Sequence, residues 1–141
     1  MKKLSIIMAF VAIMCFGMSS AKAQNNNNPK ITAFVEQYFP KATIQMVMPD
    51  EDDIDVVLND YTKLEFRLNS EWKKVDCEHS TTFTSVPATL VPQQITAYVN
   101  ANFPNTIIKK LEKKFIGWEI ELSNGLEVKF NNSFSVTEVD D

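Results

Sequence analysis

The sequence predicts an α+β fold in which one unit, a helix followed by an antiparallel β-meander, occurs twice. The first observation is an internal repeat. Ile31–Pro40 reads ITAFVEQYFP, and 64 residues later Ile95–Pro104 reads ITAYVNANFP, with six of the ten positions identical. The second is that helical spacing of apolar residues gives way to strict alternation after each block. We therefore expect one continuous antiparallel sheet with both helices on one face.

The first residues are expected to be a targeting signal. Lys2 and Lys3 precede an apolar run over residues 4–18, and Ala21-Lys22-Ala23 has the small-x-small pattern of a cleavage site. We predict a Sec-type signal peptide over residues 1–23, cleaved after Ala23. The protein would then be periplasmic or secreted, with no membrane span after cleavage.

Composition and charge exclude several classes of protein. Cleavage removes three lysines, which lowers the basic count from 14 to 11 against 18 acids and gives the mature chain a net charge of −7. So acidic a chain is not expected to bind nucleic acid. Only Cys77 remains after cleavage, so no intramolecular disulfide can form, and we expect this thiol to be buried. We expect a monomer.

The first copy of the unit is predicted over residues 29–77. A polar spacer at residues 24–28, expected to be disordered, leads to Pro29, which suits the first position of a helix that Pro40 ends. Strands then flank a turn at Asn59-Asp60. The apolar positions of the first copy are Ile31, Phe34, Val35 and Tyr38 in the helix and Ile54, Val56, Leu58, Leu64 and Phe66 in the strands.

The second copy is predicted over residues 92–141, with the segment 78–91 as a linker between the two. Pro92 opens its helix and Pro104 ends it. The turn Ser123-Asn124-Gly125 separates two alternating runs, and Asn-Gly in that position is the strongest short hairpin signal. The last strand is expected to follow Asn131-Asn132-Ser133 and to carry Phe134 and Val136.

Two features of the chain match a known family. They are the helix blocks ending in Phe39-Pro40 and Phe103-Pro104, and the hairpins at residues 55–60 and 118–130. With these, the chain from about residue 29 to 141 resembles the PepSY-like proteins, small exported bacterial proteins whose tandem fold looks like the beta-lactamase inhibitory protein. The resemblance implies a non-catalytic module that binds or inhibits something, with the concave sheet face gripping the target. Fold likeness alone does not imply a beta-lactamase target.

The polar face of the predicted sheet is the expected binding surface for an unidentified protein or peptide. Tyr61 and Trp72 fit the apolar pattern least well, so exposure of either would indicate a binding hot spot. Trp118, in register with Ile120, is expected in the core. An alternative is that the charges only pair across strands, which is worth about 0.2–1 kcal/mol each. The charged candidates are Asp55, Lys63, Glu65 and Arg67 in the first copy and Glu119, Glu121, Glu127 and Lys129 in the second.

Two further interpretations involve metal or catalytic chemistry. Asp50, Asp52 and Asp53 could bind calcium weakly, as part of an envelope calcium or small-ligand sensor, although their run lacks the glycine of an EF-hand loop. Cys77 and His79 could form a metal pair or a nucleophile with its base, but the mature chain offers no further cysteine or histidine. We therefore expect no cofactor and no enzyme activity.

Overall fold

The computed structural model describes residues 28–141, so the predicted signal peptide and residues 24–27 lie outside the described part. Within residues 28–141, no helix is long and apolar enough to cross a membrane. The helices are α1 (Pro29–Tyr38) and α2 (Gln93–Asn102), with a 3-10 turn at Ala88–Leu90. The strands are β1 (Ile44–Pro49), β2 (Asp53–Leu58), β3 (Lys63–Arg67), β4 (Trp72–Asp76), β5 (Ile108–Lys113), β6 (Trp118–Leu122), β7 (Glu127–Phe130) and β8 (Val136–Asp140).

The eight strands form one open antiparallel sheet in which they follow one another in chain order, from β1 to β8. The predicted α+β class with an antiparallel sheet is confirmed. The described chain divides into two compact units. The first unit contains residues 28–59 and 65–71, and the second contains residues 60–64 and 72–141, so β3 contributes to both.

Helix α1 supplies part of the apolar core of the first unit. Asn28, the last residue of the predicted spacer, instead caps this helix, because its Oδ1 accepts a hydrogen bond from the Ile31 N–H at 3.3 Å. Ile31 and Val35, one turn apart, are buried. Between them, the Phe34 ring meets the ring of Phe66 on β3 edge-on, with centroids 5.3 Å apart. The face predicted from the sequence is therefore the one that packs.

Helix α2 packs in the same manner within the second unit. Ile95 and Val99 are buried, and the Tyr98 ring meets the Phe130 ring edge-on at 5.5 Å. Burying an aliphatic side chain of this size contributes about 1.5–3 kcal/mol. Strand register then aligns one fully buried residue from each of four strands: Val75, Leu111, Ile120 and Val128.

The last strand begins later than the sequence predicts. β8 starts at Val136, and Phe134 lies in the preceding turn with a φ of 64°. Asn131 holds this turn, because its side-chain oxygen accepts hydrogen bonds from the N–H groups of Ser133 and Ser135 at 2.9 and 3.0 Å. Asparagine commonly stabilises turns through such bonds to nearby backbone. The turn therefore continues two residues further than its Asn-Asn-Ser signal suggests.

Candidate binding surface

Charged side chains of the second unit lie in two rows across one face of its sheet. Neighbouring residues of a strand point to opposite faces, so the residues flanking the buried row face away from the core. All are half-buried or exposed. One row contains Lys74, Glu112, Glu119, Lys129 and Glu138. The other contains Asp76, Lys110, Glu121, Glu127 and Asp140. We call these ten residues the charged face.

Lys110 is the centre of an ion-pair network on this face. Its Nζ lies 2.9 Å from a carboxylate oxygen of Glu78 and 3.2 Å from one of Glu121. Partial burial lowers the pKa of Lys110, but hydrogen bonds to the two carboxylates outweigh burial and raise this pKa above its ordinary value. The ammonium group is therefore charged at neutral pH and holds two acids in place. Partly exposed pairs of this kind contribute only about 0–1 kcal/mol each.

Glu119 and Glu127 share a hydrogen bond, and their pKa values move in opposite directions. Burial raises the pKa of Glu119, but hydrogen bonds with Lys114, 2.9 Å away, and with Glu127 hold it below its ordinary value. The bond to Glu119, together with desolvation, raises the pKa of Glu127. Strand register also places Glu121 directly opposite Glu127. Like charges opposed across strands are destabilising, so this part of the face carries unfavourable electrostatic energy.

The structure places the eight predicted charged residues in different settings. Glu119, Glu121, Glu127 and Lys129 come together on the charged face. Asp55, Glu65 and Arg67 are half-buried in the first unit, and Lys63 is exposed in the second.

Six residues of the charged face were not predicted from the sequence: Lys74, Asp76, Lys110, Glu112, Glu138 and Asp140. In β5 the reason is local. The register shifts between Ile108 and Lys110, which is a bulge or irregularity that interrupts alternation. The lysine pair at positions 109 and 110 therefore does not show a period of two, although Lys110 belongs to the second row of the charged face.

The predicted aromatic candidates differ in exposure. Tyr61 is 60% exposed and has a φ of 70°, while Trp72 is half-buried. Trp118 is not a core residue as predicted, since it is also half-buried and its ring lies 6.2 Å from that of Trp72. The ring of Phe134 stacks on Trp118, and the Lys113 Nζ lies 5.3 Å from the Trp72 ring centroid. These four residues form an aromatic and lysine cluster at the start of β4 and β6.

The acidic turn between β1 and β2 is closed by its own backbone. The Asp50 N–H donates to the Asp53 carbonyl oxygen at 2.7 Å, and the Glu51 N–H donates to a carboxylate oxygen of Asp50 at 2.7 Å. Among residues 28–141, no group of three or more acidic, histidine or cysteine side chains is arranged to hold a metal ion.

Cys77 is buried, which confirms the prediction for this thiol. Burial, followed by the negative charges of Asp76 and Asp60, raises its pKa to about 12. His79, two residues later, is exposed. At neutral pH Cys77 is therefore a protonated thiol inside the fold, and the nucleophile of a cysteine hydrolase is a thiolate.

Comparison with protein families identifies the group to which this fold and surface belong. A profile of the family described as "Putative beta-lactamase-inhibitor-like, PepSY-like" matches residues 52–138, more than half of the chain. The chain belongs to this PepSY-like family. The resemblance noted in the sequence is confirmed, and the family is inhibitor-like with no catalytic family indicated. Among curated proteins, none matches this PepSY-like chain.

Solved structures similar to this PepSY-like protein are named as periplasmic. A "putative periplasmic protein from DUF2874 family" of Bacteroides vulgatus is 32% identical, with a TM-score of 0.72 over 83% of this chain and 92% of that one. A "putative calcium-regulated periplasmic protein" of Bacteroides thetaiotaomicron is 28% identical, with a TM-score of 0.73 over 82% and 91%. A second Bacteroides vulgatus protein, "of unknown function", is 30% identical, with a TM-score of 0.73 over 82% and 94%.

Proposed function

We propose that this PepSY-like protein is an exported, non-catalytic binding protein, inhibitor-like in action, that recognises a protein or peptide with its charged face. The observation that carries the proposal is the second row of that face, which holds one lysine against four acids. Glu121 and Glu127 oppose each other there. A cationic segment laid across this row would relieve their repulsion, because complementary charge across an interface favours the correct partner.

Export and architecture belong to the same proposal. We infer a signal peptide cleaved after Ala23, supported by the sequence pattern and by the periplasmic proteins that the chain resembles. We also infer a tandem repeat, because the bounds of α1 and α2, of β1 and β5, and of β4 and β8 each differ by 64 residues. Each copy would then present one apolar sheet face to its own helix and one polar face to a partner.

The experiment is capture of partners from an envelope extract by mature protein from Gln24, followed by binding measurements with the purified partner. The double variant Glu121→Gln with Glu127→Gln removes two negative charges from the charged face without adding bulk. We expect the affinity for the partner to fall by roughly thirtyfold, since two charge contacts of about 1 kcal/mol each are lost. Binding of wild type should also weaken with added salt.

The matched control is the pair Glu51→Gln and Asp52→Asn, which removes two exposed acids from the turn between β1 and β2. This variant should bind the partner as wild type does, after circular dichroism shows that both variants are folded. Equal loss in both variants would mean that net charge, and not the charged face, governs binding, and the proposal would fail.

A second candidate function is calcium sensing at the acidic turn. It is favoured by the name of the Bacteroides thetaiotaomicron neighbour, which calls that protein calcium-regulated. Asp50, Asp52 and Asp53 would supply carboxylate oxygens, the ligands that calcium prefers. Calorimetric titration of wild type with calcium should show saturable heat. This heat should disappear in the double variant Asp50→Asn with Asp52→Asn and persist in the double variant Glu121→Gln with Glu127→Gln. A titration without saturable heat would remove this candidate.

A further inference from the structure

The turn between β5 and β6 presents two apolar side chains to solvent. Phe115 is 91% exposed and Ile116 is 71% exposed, and they occupy the centre of the turn Lys114–Gly117. Central positions of tight turns normally carry Gly, Asn, Asp or Ser. The next turn of the chain, Ser123-Asn124-Gly125, follows that rule. We call Phe115 and Ile116 the apolar tip.

The backbone of this turn is fixed by hydrogen bonds and by a close contact at Gly117. The turn therefore holds the apolar tip in solvent. The Lys114 N–H donates to the Gly117 carbonyl oxygen at 3.0 Å, and the Gly117 N–H donates to the side-chain oxygen of Asn132 at 2.7 Å. Gly117 has a φ of 87°, and a Cβ there would lie 1.9 Å from the Phe130 carbonyl oxygen. None of these contacts requires a phenylalanine or an isoleucine at the tip.

The acidic turn between β1 and β2 shows that apolar residues are unnecessary for such a turn. Its Asp50 N–H donates to the Asp53 carbonyl oxygen, the same pattern as in the β5–β6 turn, while Glu51 and Asp52 occupy the central positions and are exposed. Exposing two large apolar side chains therefore serves something other than turn formation. Exposed apolar groups of this kind mark interaction sites.

The surroundings of the apolar tip indicate which kind of partner it fits. The aromatic and lysine cluster lies at the same end of the strands, with the Lys113 Nζ 5.3 Å and 5.9 Å from the Trp72 and Trp118 ring centroids. Tryptophan is enriched where an apolar phase meets water, because its ring is apolar and its N–H is polar. Lysine stems can lie along apolar surface while the ammonium group reaches water or an anionic headgroup.

Charge along the second unit is asymmetric. At the tip end, the turn and the adjoining parts of β4 to β8 contain five lysines and three glutamates. The remaining parts of the same strands contain two lysines and four acids. The apolar tip therefore lies at the more basic end of an acidic protein. The tip-end residues are Lys73, Lys74, Glu112, Lys113, Lys114, Glu119, Lys129 and Glu138.

We propose that the apolar tip inserts into the headgroup region of an anionic lipid bilayer, with the surrounding lysines against the headgroups and the two tryptophans at the interface. Phe115 and Ile116 lie outside the charged face, although Lys74 and Lys129 among the surrounding lysines belong to its first row. Membrane attachment through the apolar tip goes beyond the proposed function. Two inserted side chains and a small excess of lysine give a weak, reversible attachment rather than a stable anchor.

The test uses mature protein from Gln24 and vesicles that contain no protein. Vesicles of phosphatidylglycerol and phosphatidylethanolamine are compared with vesicles of phosphatidylcholine alone. The chain has two tryptophans, both in the cluster, so their emission reports contact with lipid. We expect sedimentation with the anionic vesicles, a blue shift of emission and quenching by brominated lipid, all weakened by salt.

Phe115→Ser with Ile116→Ser should reduce the partition coefficient by about tenfold or more, because burial of one large apolar side chain already accounts for such a factor. The matched control is Ile107→Ser, at the other end of β5, where the side chain is 43% exposed. It should bind vesicles as wild type does.

Three results would overturn the proposal. They are no sedimentation of wild type with anionic vesicles, equal binding to both vesicle types, and equal binding of the two serine variants. Quenching of wild-type tryptophan emission by brominated lipid needs no variant, so a folding defect in the tip variant would leave the test decisive.

A protein partner is the alternative occupant of the apolar tip. Loss of a captured envelope protein by the tip variant, without vesicle binding by wild type, would assign the apolar tip to such a partner. Because the vesicles hold no protein, the proposed function is tested independently.

Discussion

The turn at residues 50–53 and the turn at residues 114–117 are built alike and present opposite chemistry. Both close with a hydrogen bond from the N–H of the first residue to the carbonyl oxygen of the last, at 2.7 Å and 3.0 Å respectively. Both display their two central side chains to solvent. In the first turn these are Glu51 and Asp52, and in the second they are Phe115 and Ile116. The backbone pattern fixes the turn, and the central side chains can then be chosen by function.

The two turns differ in how they are anchored. The first relies on local groups, since the Asp50 carboxylate accepts a hydrogen bond from the next residue's N–H. The second is tied to the neighbouring β7–β8 turn through Asn132 and needs a glycine where the first has Asp53. An apolar tip has no carboxylate with which to satisfy its own backbone, so its support comes from a distant part of the chain.

The largest effect is expected at the glycine that anchors the second turn. Gly117→Ala should lower the free energy of unfolding by about 3 kcal/mol, which combines a left-handed backbone penalty with a forced shift of the β7 backbone. The added Cβ would lie 1.9 Å from the Phe130 carbonyl oxygen, and backbone cannot yield as a flexible side chain can. Urea unfolding followed by circular dichroism measures the change.

Gly125→Ala is the matched control, because Gly125 has a nearly identical φ of 89° but nothing within 4 Å of the added Cβ. It should cost only about 1 kcal/mol, the left-handed backbone penalty by itself. If the two substitutions cost the same, close approach to β7 does not hold the second turn, and the contrast in anchoring would be wrong.

The same pair of glycines shows how far the sequence could predict the structure. The hairpin at Asn124-Gly125 follows from two adjacent residues with known turn preferences, and it forms where expected. The helices likewise begin and end near the prolines that predict their bounds. These signals are local, so one stretch of sequence contains all the information they need.

The turn at residues 114–117 gives no such signal. Lys114-Phe115-Ile116 has the composition of a strand, and the positive φ of Gly117 is set by contacts with Phe130 and Asn132, more than ten residues away. The charged face was only partly predictable for a similar reason. Its rows are fixed by register across five strands, and the irregularity in β5 moves Lys110 into a row that alternation alone does not reveal.

The smaller expected effect concerns the first residue of the second turn. The Lys114 Nζ lies 2.9 Å from a carboxylate oxygen of Glu119, and the two side chains are 43% and 18% exposed. Lys114→Gln should therefore lower the free energy of unfolding by only about 0.5 kcal/mol at neutral pH, the usual value for a pair with one exposed partner. Asp50, in the same position of the first turn, makes its bond within the turn itself.

The dependence of this effect on pH has a definite sign. Partial burial opposes the ionised form of Glu119, but hydrogen bonds with Lys114 and Glu127 hold its pKa in the folded protein below the ordinary 4.5. The stabilisation is therefore present above pH 4.5 and is lost as pH falls through the lowered pKa. The difference in Tm between wild type and Lys114→Gln should shrink over that range of pH. The difference in Tm between wild type and the exposed control Lys63→Gln should change little with pH. A difference that stays constant into acid would mean that Lys114 stabilises the turn through packing of its stem and not through Glu119.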